Sequence, residues 1–101
     1  MELSDEPPYN LSSGMVDVLI PDKYNPGSFF FNKLGGICRY TKGVGVTVIA
    51  GSPTERGLKE GPALLSRFNL ITDILQPKRD KLVLVDFRSS CIRELNMATS
   101  R

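Results

Sequence analysis

Two aspartates, Asp73 and Asp86, fall on β-rich stretches that a short turn would pair, and facing carboxylates are the raw material of general acid-base chemistry. Such residues more often stand outward and solvated on half-buried strands, and we read them that way. The chain has no histidine, which removes Ser-His-Asp and Cys-His nucleophile pairs and leaves only lysine- or carboxylate-based alternatives. Its two cysteines, Cys38 and Cys91, are far apart and cannot by themselves make a zinc set. Neither a metal nor a cofactor is expected, and the cysteines read as free thiols of a reducing compartment. The glycines of "LGGICRYTKGVG" match neither the Walker spacing nor G-x-G-x-x-G ahead of a helix, so they read as a bend and a hairpin turn. The protein is therefore expected not to be an enzyme.

What remains is surface suited to binding. Arg39, Tyr40 and Lys42 surround a first hairpin, Arg67 and Phe68 open a later strand, and Lys78, Arg79, Lys81 and Arg88 surround the last one. Cations interleaved with rings suit single-stranded nucleic acid, because the cations neutralise phosphates while each ring offers a stacking face worth roughly 1–3 kcal/mol per base. The same residues would also serve as an ordinary solvated rim, with Phe68 in the core. A net charge of +2, from 13 Lys and Arg against 11 Asp and Glu, permits contact with a polyanion without demanding it.

The elements that must carry these residues are mostly strands. At 101 residues the chain has room for one core. Residues 1–14, "MELSDEPPYNLSSG", read as an irregular arm, and 15–20, "MVDVLI", as a short lead-in strand halted by Pro21. "FFFNKLGGICRYT", 29–41, reads as one long strand bent at Gly35-Gly36. It turns at Lys42-Gly43 into the β-rich "VGVTVIA", so that 29–50 form a single hairpin. Residues 51–62 read as a loop, with room for a ragged short strand at Leu58. Residues 68–75 and 81–87 read as strands joined by a turn at "QPKRD". Ser89 or Ser90 would then cap a helix of about two turns carrying Ile92 and Leu95, before a frayed tail at 96–101. The sum is a mainly β fold: a small five-stranded, OB-fold-like barrel over 15–95 with a short C-terminal helix.

The stretch "LGGICRYTKGVGVTVIA" resembles the first hairpin of the small OB-fold subunits of telomere-capping CST complexes, the Ten-one family. Gly35, Cys38, Tyr40, Val46, Thr47 and Ala50 carry the likeness. A Pro/Tyr arm and a pair of strands over "LLSRFNLITDILQPKRDKLVLVDF" agree with it. The resemblance implies a non-enzymatic nuclear protein of the chromosome's telomeric region. It would form a heterodimer with a larger OB-fold subunit and help protect and replicate chromosome ends. Its own contact with single-stranded DNA would be weak, with no small-molecule substrate and no membrane. No apolar run approaches the roughly 20 residues of a membrane helix, and the acidic opening reads as neither signal nor transit peptide.

On this reading the DNA contacts are Arg39, Tyr40, Lys42, Arg67, Lys78 and Arg79. The partner surface is the first strand plus the C-terminal helix, with Phe30, Leu34, Ile92, Leu95 and Met97. Phe29, Phe30 and Phe31 cannot all face one core by strand alternation, so at least one is expected against a partner or under the arm. Two alternatives stay open: a stand-alone barrel that binds single-stranded nucleic acid tightly, and a structural or viral interaction module that self-associates.

Overall fold

The computed structural model describes residues 16–54, 56–57 and 61–98, so the expected arm, the strand at Leu58 and the last three residues of the tail lie outside the described residues. The protein is mainly β, and the described residues form seven strands and one turn of 3₁₀ helix. These are β1 (Leu19–Pro21), β2 (Ser28–Lys33), β3 (Gly35–Thr41), β4 (Gly45–Ser52), the 3₁₀ turn Ala63–Leu65, β5 (Ile71–Lys78), β6 (Lys81–Asp86) and β7 (Cys91–Asn96). They form two antiparallel meanders, β1-β2-β3-β4 and β5-β6-β7. No strand ladder joins the two sheets among the described residues, and closure into a barrel is not seen.

One core binds the two sheets together. Phe30, Ile37 and Ala50 of the first sheet meet Ile71, Ile74, Leu82, Leu84 and Leu95 of the second, while Ala63 and Phe68 enter from the connection. Burying each large side chain of this set is worth roughly 1.5–3 kcal/mol, which is what a domain this small needs to hold two meanders face to face.

The first hairpin differs from expectation. The chain reverses at Leu34, whose φ of 53° lies in the left-handed region, and pairs Lys33 with Gly36. Residues 29–41 are therefore two strands rather than one bent strand. The glycines serve close approach instead of a bend. A Cβ on Gly36 would stand 2.9 Å from the backbone of Ser52 and Pro53, and one on Gly51 would stand 2.3 Å from the Gly35 carbonyl oxygen. The bulge that does occur comes one step later, between Ile37 and Cys38. The turn at Lys42-Gly43 is found where expected, with Gly43 at φ 81°.

The expected C-terminal helix is a strand. Cys91 to Asn96 pair with β6 from Asp86↔Cys91 to Lys81↔Asn96, after a turn in which Ser90 takes φ 54°. Ile92 and Leu95 sit at a spacing that fits a helix face, but pairing with β6 sends Leu95 into the core and Ile92 outward. An isolated two-turn helix has little stability of its own, so the ladder and the burial of Leu95 prevail. Strand β5 starts and ends later than expected and includes Pro77, which an edge strand tolerates because its missing N–H costs no ladder bond.

Candidate functional site

Three connections converge at one end of the molecule. The β1–β2 loop, residues 22–27, accepts a hydrogen bond from the Lys42 amide to the Gly27 carbonyl at 2.9 Å, which holds it to the β3–β4 turn. On its other side Gln76 of β5 accepts from the Lys23 amide at 2.9 Å and donates to the Arg79 carbonyl at 3.3 Å, which holds the loop to the β5–β6 turn. "PDKYNPGS" folds back on itself because Asp22 receives the Tyr24 amide at 3.0 Å and the Asn25 side-chain amide at 2.9 Å. This is the local aspartate turn that such a Pro-, Gly- and Asn-rich stretch favours.

Asp22 is the pivot of this end. Its buried carboxylate also accepts from Gln76 at 3.1 Å and forms an ion pair with Arg39 at 3.3 Å, so one side chain ties β3, β5 and the loop together. Burial by itself pushes this carboxyl up. The hydrogen bonds from Asn25, Tyr24 and Gln76, with the positive charge of Arg39, outweigh that and leave it below the ordinary aspartate range.

The outer surface of this end is cationic and carries a ring. Lys23, Lys42, Lys78 and Arg79 are exposed there, and the Arg79 guanidinium lies over the Tyr24 ring at 4.9 Å. Asp80 is the one exposed acid of the three connections. Positive charge and an aromatic ring are thus presented side by side on one surface.

The expected DNA residues divide on this basis. Lys42, Lys78 and Arg79 belong to the cationic end. Arg39 adjoins it but is turned inward, with its guanidinium 4.8 Å from the Phe30 ring centre and bound to Asp22. Tyr40 lies against Phe29, ring centres 6.5 Å apart, on the other face of the first sheet. Arg67 lies toward the opposite end of β6 and donates to the carbonyls of Leu64 and Ser66. Lys23 and Tyr24 were missed, although their place in a loop rich in turn residues was legible.

The expected partner residues divide too. Phe30 and Leu95 are core residues, 0% and 3% exposed, and only Leu95 reaches the edge of a surface hollow. Leu34 is half-buried in its turn, Met97 packs against the core, and Ile92 is 71% exposed on the outer face of the second sheet. Of the three phenylalanines, Phe31 is also buried but stands on the side away from the core, next to Cys38 by register. Burial pushes the Cys38 thiol up, an effect that Lys33 only partly offsets.

The structure does not bring the two aspartates face to face: Asp73 pairs with Val85 and Asp86 with Ile71. Asp73 is exposed as expected, but Asp86 is fully buried, which corrects the outward reading. Strand alternation sets it on the same face as Leu82 and Leu84, and its charge is met inside. Its carboxylate accepts from the amides of Asn69 and Leu70 at 3.0 Å each and lies 3.7 Å from Arg93, itself over the Phe68 ring at 4.3 Å. Arg93 also donates to the Arg67 carbonyl. This cluster clamps the connection between the sheets. Comparison with protein-family models, with curated proteins and with solved structures found no match.

Proposed function

We propose that the protein is a non-catalytic accessory subunit of a complex on single-stranded DNA at chromosome ends, working in the nucleus. It docks on a larger OB-fold partner and touches the DNA weakly through its cationic end. The observation that carries this reading is the convergence of Lys23, Lys42, Lys78 and Arg79 around the Tyr24 ring. Support for the telomeric setting is the resemblance of the 34–50 hairpin.

On this reading the two meanders are an OB-type barrel left open, with β4 and β7 as the seam. The expected C-terminal helix is a strand here, so docking would use the cleft along that seam. Val48, Ile49, Leu64, Leu95 and Met97 line it, with a cavity of about 280 Å³. Gentle purification of the tagged chain from its native cells, followed by mass spectrometry and sequencing of bound DNA, tests the proposal. A larger OB-fold protein in equal amount, with telomeric single strands, is expected. The chain alone, or unrelated partners, would contradict it.

A further inference from the structure

The cleft between β4 and β7 contains a cation that the fold leaves only partly satisfied. Its inner wall is Ala63 and Leu95, both buried; half-buried Ile49 and Met97 flank it, and Leu64, 60% exposed, stands at its rim. Among the described residues that line it, Arg39 is the one charged side chain and there is no acid. A cleft walled by apolar side chains with one convergent charged group is the ordinary make-up of a small-ligand site.

Arg39 has donors to spare. Its Nη2 lies 3.3 Å from Asp22, longer than the roughly 2.7–2.9 Å of a charge-assisted bond, and the same carboxylate also serves Tyr24, Asn25 and Gln76. Its Nε is buried without a hydrogen-bond partner. The Arg39 side chain is 35% exposed and that of Asp22 0%, so the ion pair shows only its positive half to the cleft. The Phe30 ring, 4.8 Å from the guanidinium, supplies no oxygen acceptor.

We propose that this cleft is a binding site for a small apolar carboxylate. The carboxylate meets the exposed part of the Arg39 guanidinium, and the hydrocarbon tail lies along Ile49, Leu95 and Met97 in the cavity of about 280 Å³. A neutral chain would leave the guanidinium as it is, and a small inorganic anion would gain nothing from the apolar wall. The cleft is the one through which docking is proposed, so a bound carboxylate would compete with the partner. Binding itself does not rest on that reading.

The test is a nuclear magnetic resonance titration of the isolated, isotope-labelled full chain with hexanoate, hexanol and acetate in the millimolar range. Hexanoate is expected to shift the amides of Ala63, Leu95 and Met97. It should bind at least about fivefold more tightly than hexanol, which lacks the charge, or acetate, which lacks the tail. Arg39→Met should erase the preference for hexanoate over hexanol. Leu64→Glu, at an exposed position where the fold is not at stake, puts a like charge at the rim and should weaken hexanoate by at least about threefold. Equal binding of hexanoate and hexanol overturns the proposal. So do shifts confined to Lys23, Lys42 and Arg79, or an affinity indifferent to both substitutions.

Discussion

Asp86→Ala is the substitution that most sharply tests how the two sheets are joined. The carboxylate is fully buried, receives two backbone amides at 3.0 Å and faces Arg93, which is 8% exposed. Removing one member of a buried ion pair strands the other charge and costs about 3–5 kcal/mol. The amides of Asn69 and Leu70 lose their acceptor as well, but both residues are half-buried and water can reach them, so their addition falls near the low end of about 1–3 kcal/mol. A loss of about 4 kcal/mol is a large share of the roughly 5–15 kcal/mol that holds a small domain together.

The chain has no tryptophan, so urea unfolding is best followed by far-ultraviolet circular dichroism. With a slope of about 1–1.5 kcal/mol per molar urea, the midpoint should fall by about 3 M at unchanged slope. The same substitution made on Arg93→Met should cost less by about 1–3 kcal/mol, since the stranded charge is then gone. A midpoint drop under about 0.7 M in the otherwise native chain, equivalent to less than about 1 kcal/mol, would refute the idea that this carboxylate anchors the connection.

Gly51→Ala is expected to cost more than about 3 kcal/mol or to prevent folding, because φ is 69° and the new methyl would stand 2.3 Å from the Gly35 carbonyl oxygen and 2.8 Å from the Phe68 ring. A thermal melt within a few degrees of the native one would contradict that. Because Asp22 is more acidic folded than unfolded, its contribution is present above the usual aspartate range and lost as pH falls through it. The stability gap between the native chain and Asp22→Asn should therefore narrow as the pH falls into and below the usual aspartate range, and a constant gap speaks against the account. Buried Cys38, with its thiol pushed up, should react with an aromatic disulfide reagent only as fast as the chain unfolds, whereas half-buried Cys91 should react first. Two thiols titrating at the same rate in the folded protein would show the burial to be wrong.

Much of the β architecture was legible because period-two alternation and turn chemistry act locally. "VGVTVIA" with Lys42-Gly43 gave β4 and its turn, and "KLVLVD" gave β6. The reversal at Leu34 was not legible, since leucine is a poor left-handed residue and only the packing of Gly36 and Gly51 against neighbouring backbone forces the turn there. The last strand was misread as a helix because Ile92 and Leu95 fit one face of a helix as well as two faces of a strand, and only β6 decides between them. Asp86 was misassigned although it shares alternation with Leu82 and Leu84, because its partners Arg93, Asn69 and Leu70 are brought to it by tertiary structure. The cationic end was half legible. Lys42, Lys78 and Arg79 stand out as charges near turns, but Lys23 and Tyr24 join them only through the hydrogen bonds of Asp22 and Gln76.

The central claim is that this end meets single-stranded DNA, and the salt dependence of binding measures it most directly. Fluorescence anisotropy of the isolated chain with a labelled single strand, read across a range of salt, should give a log–log slope of about −3, from about −0.7 for each of the four cations. Replacing Lys23, Lys42 and Arg79 by glutamate should bring that slope to about −1 or abolish binding. An unchanged slope and affinity in the triple variant would contradict the account and leave the cationic end as ordinary solvated surface.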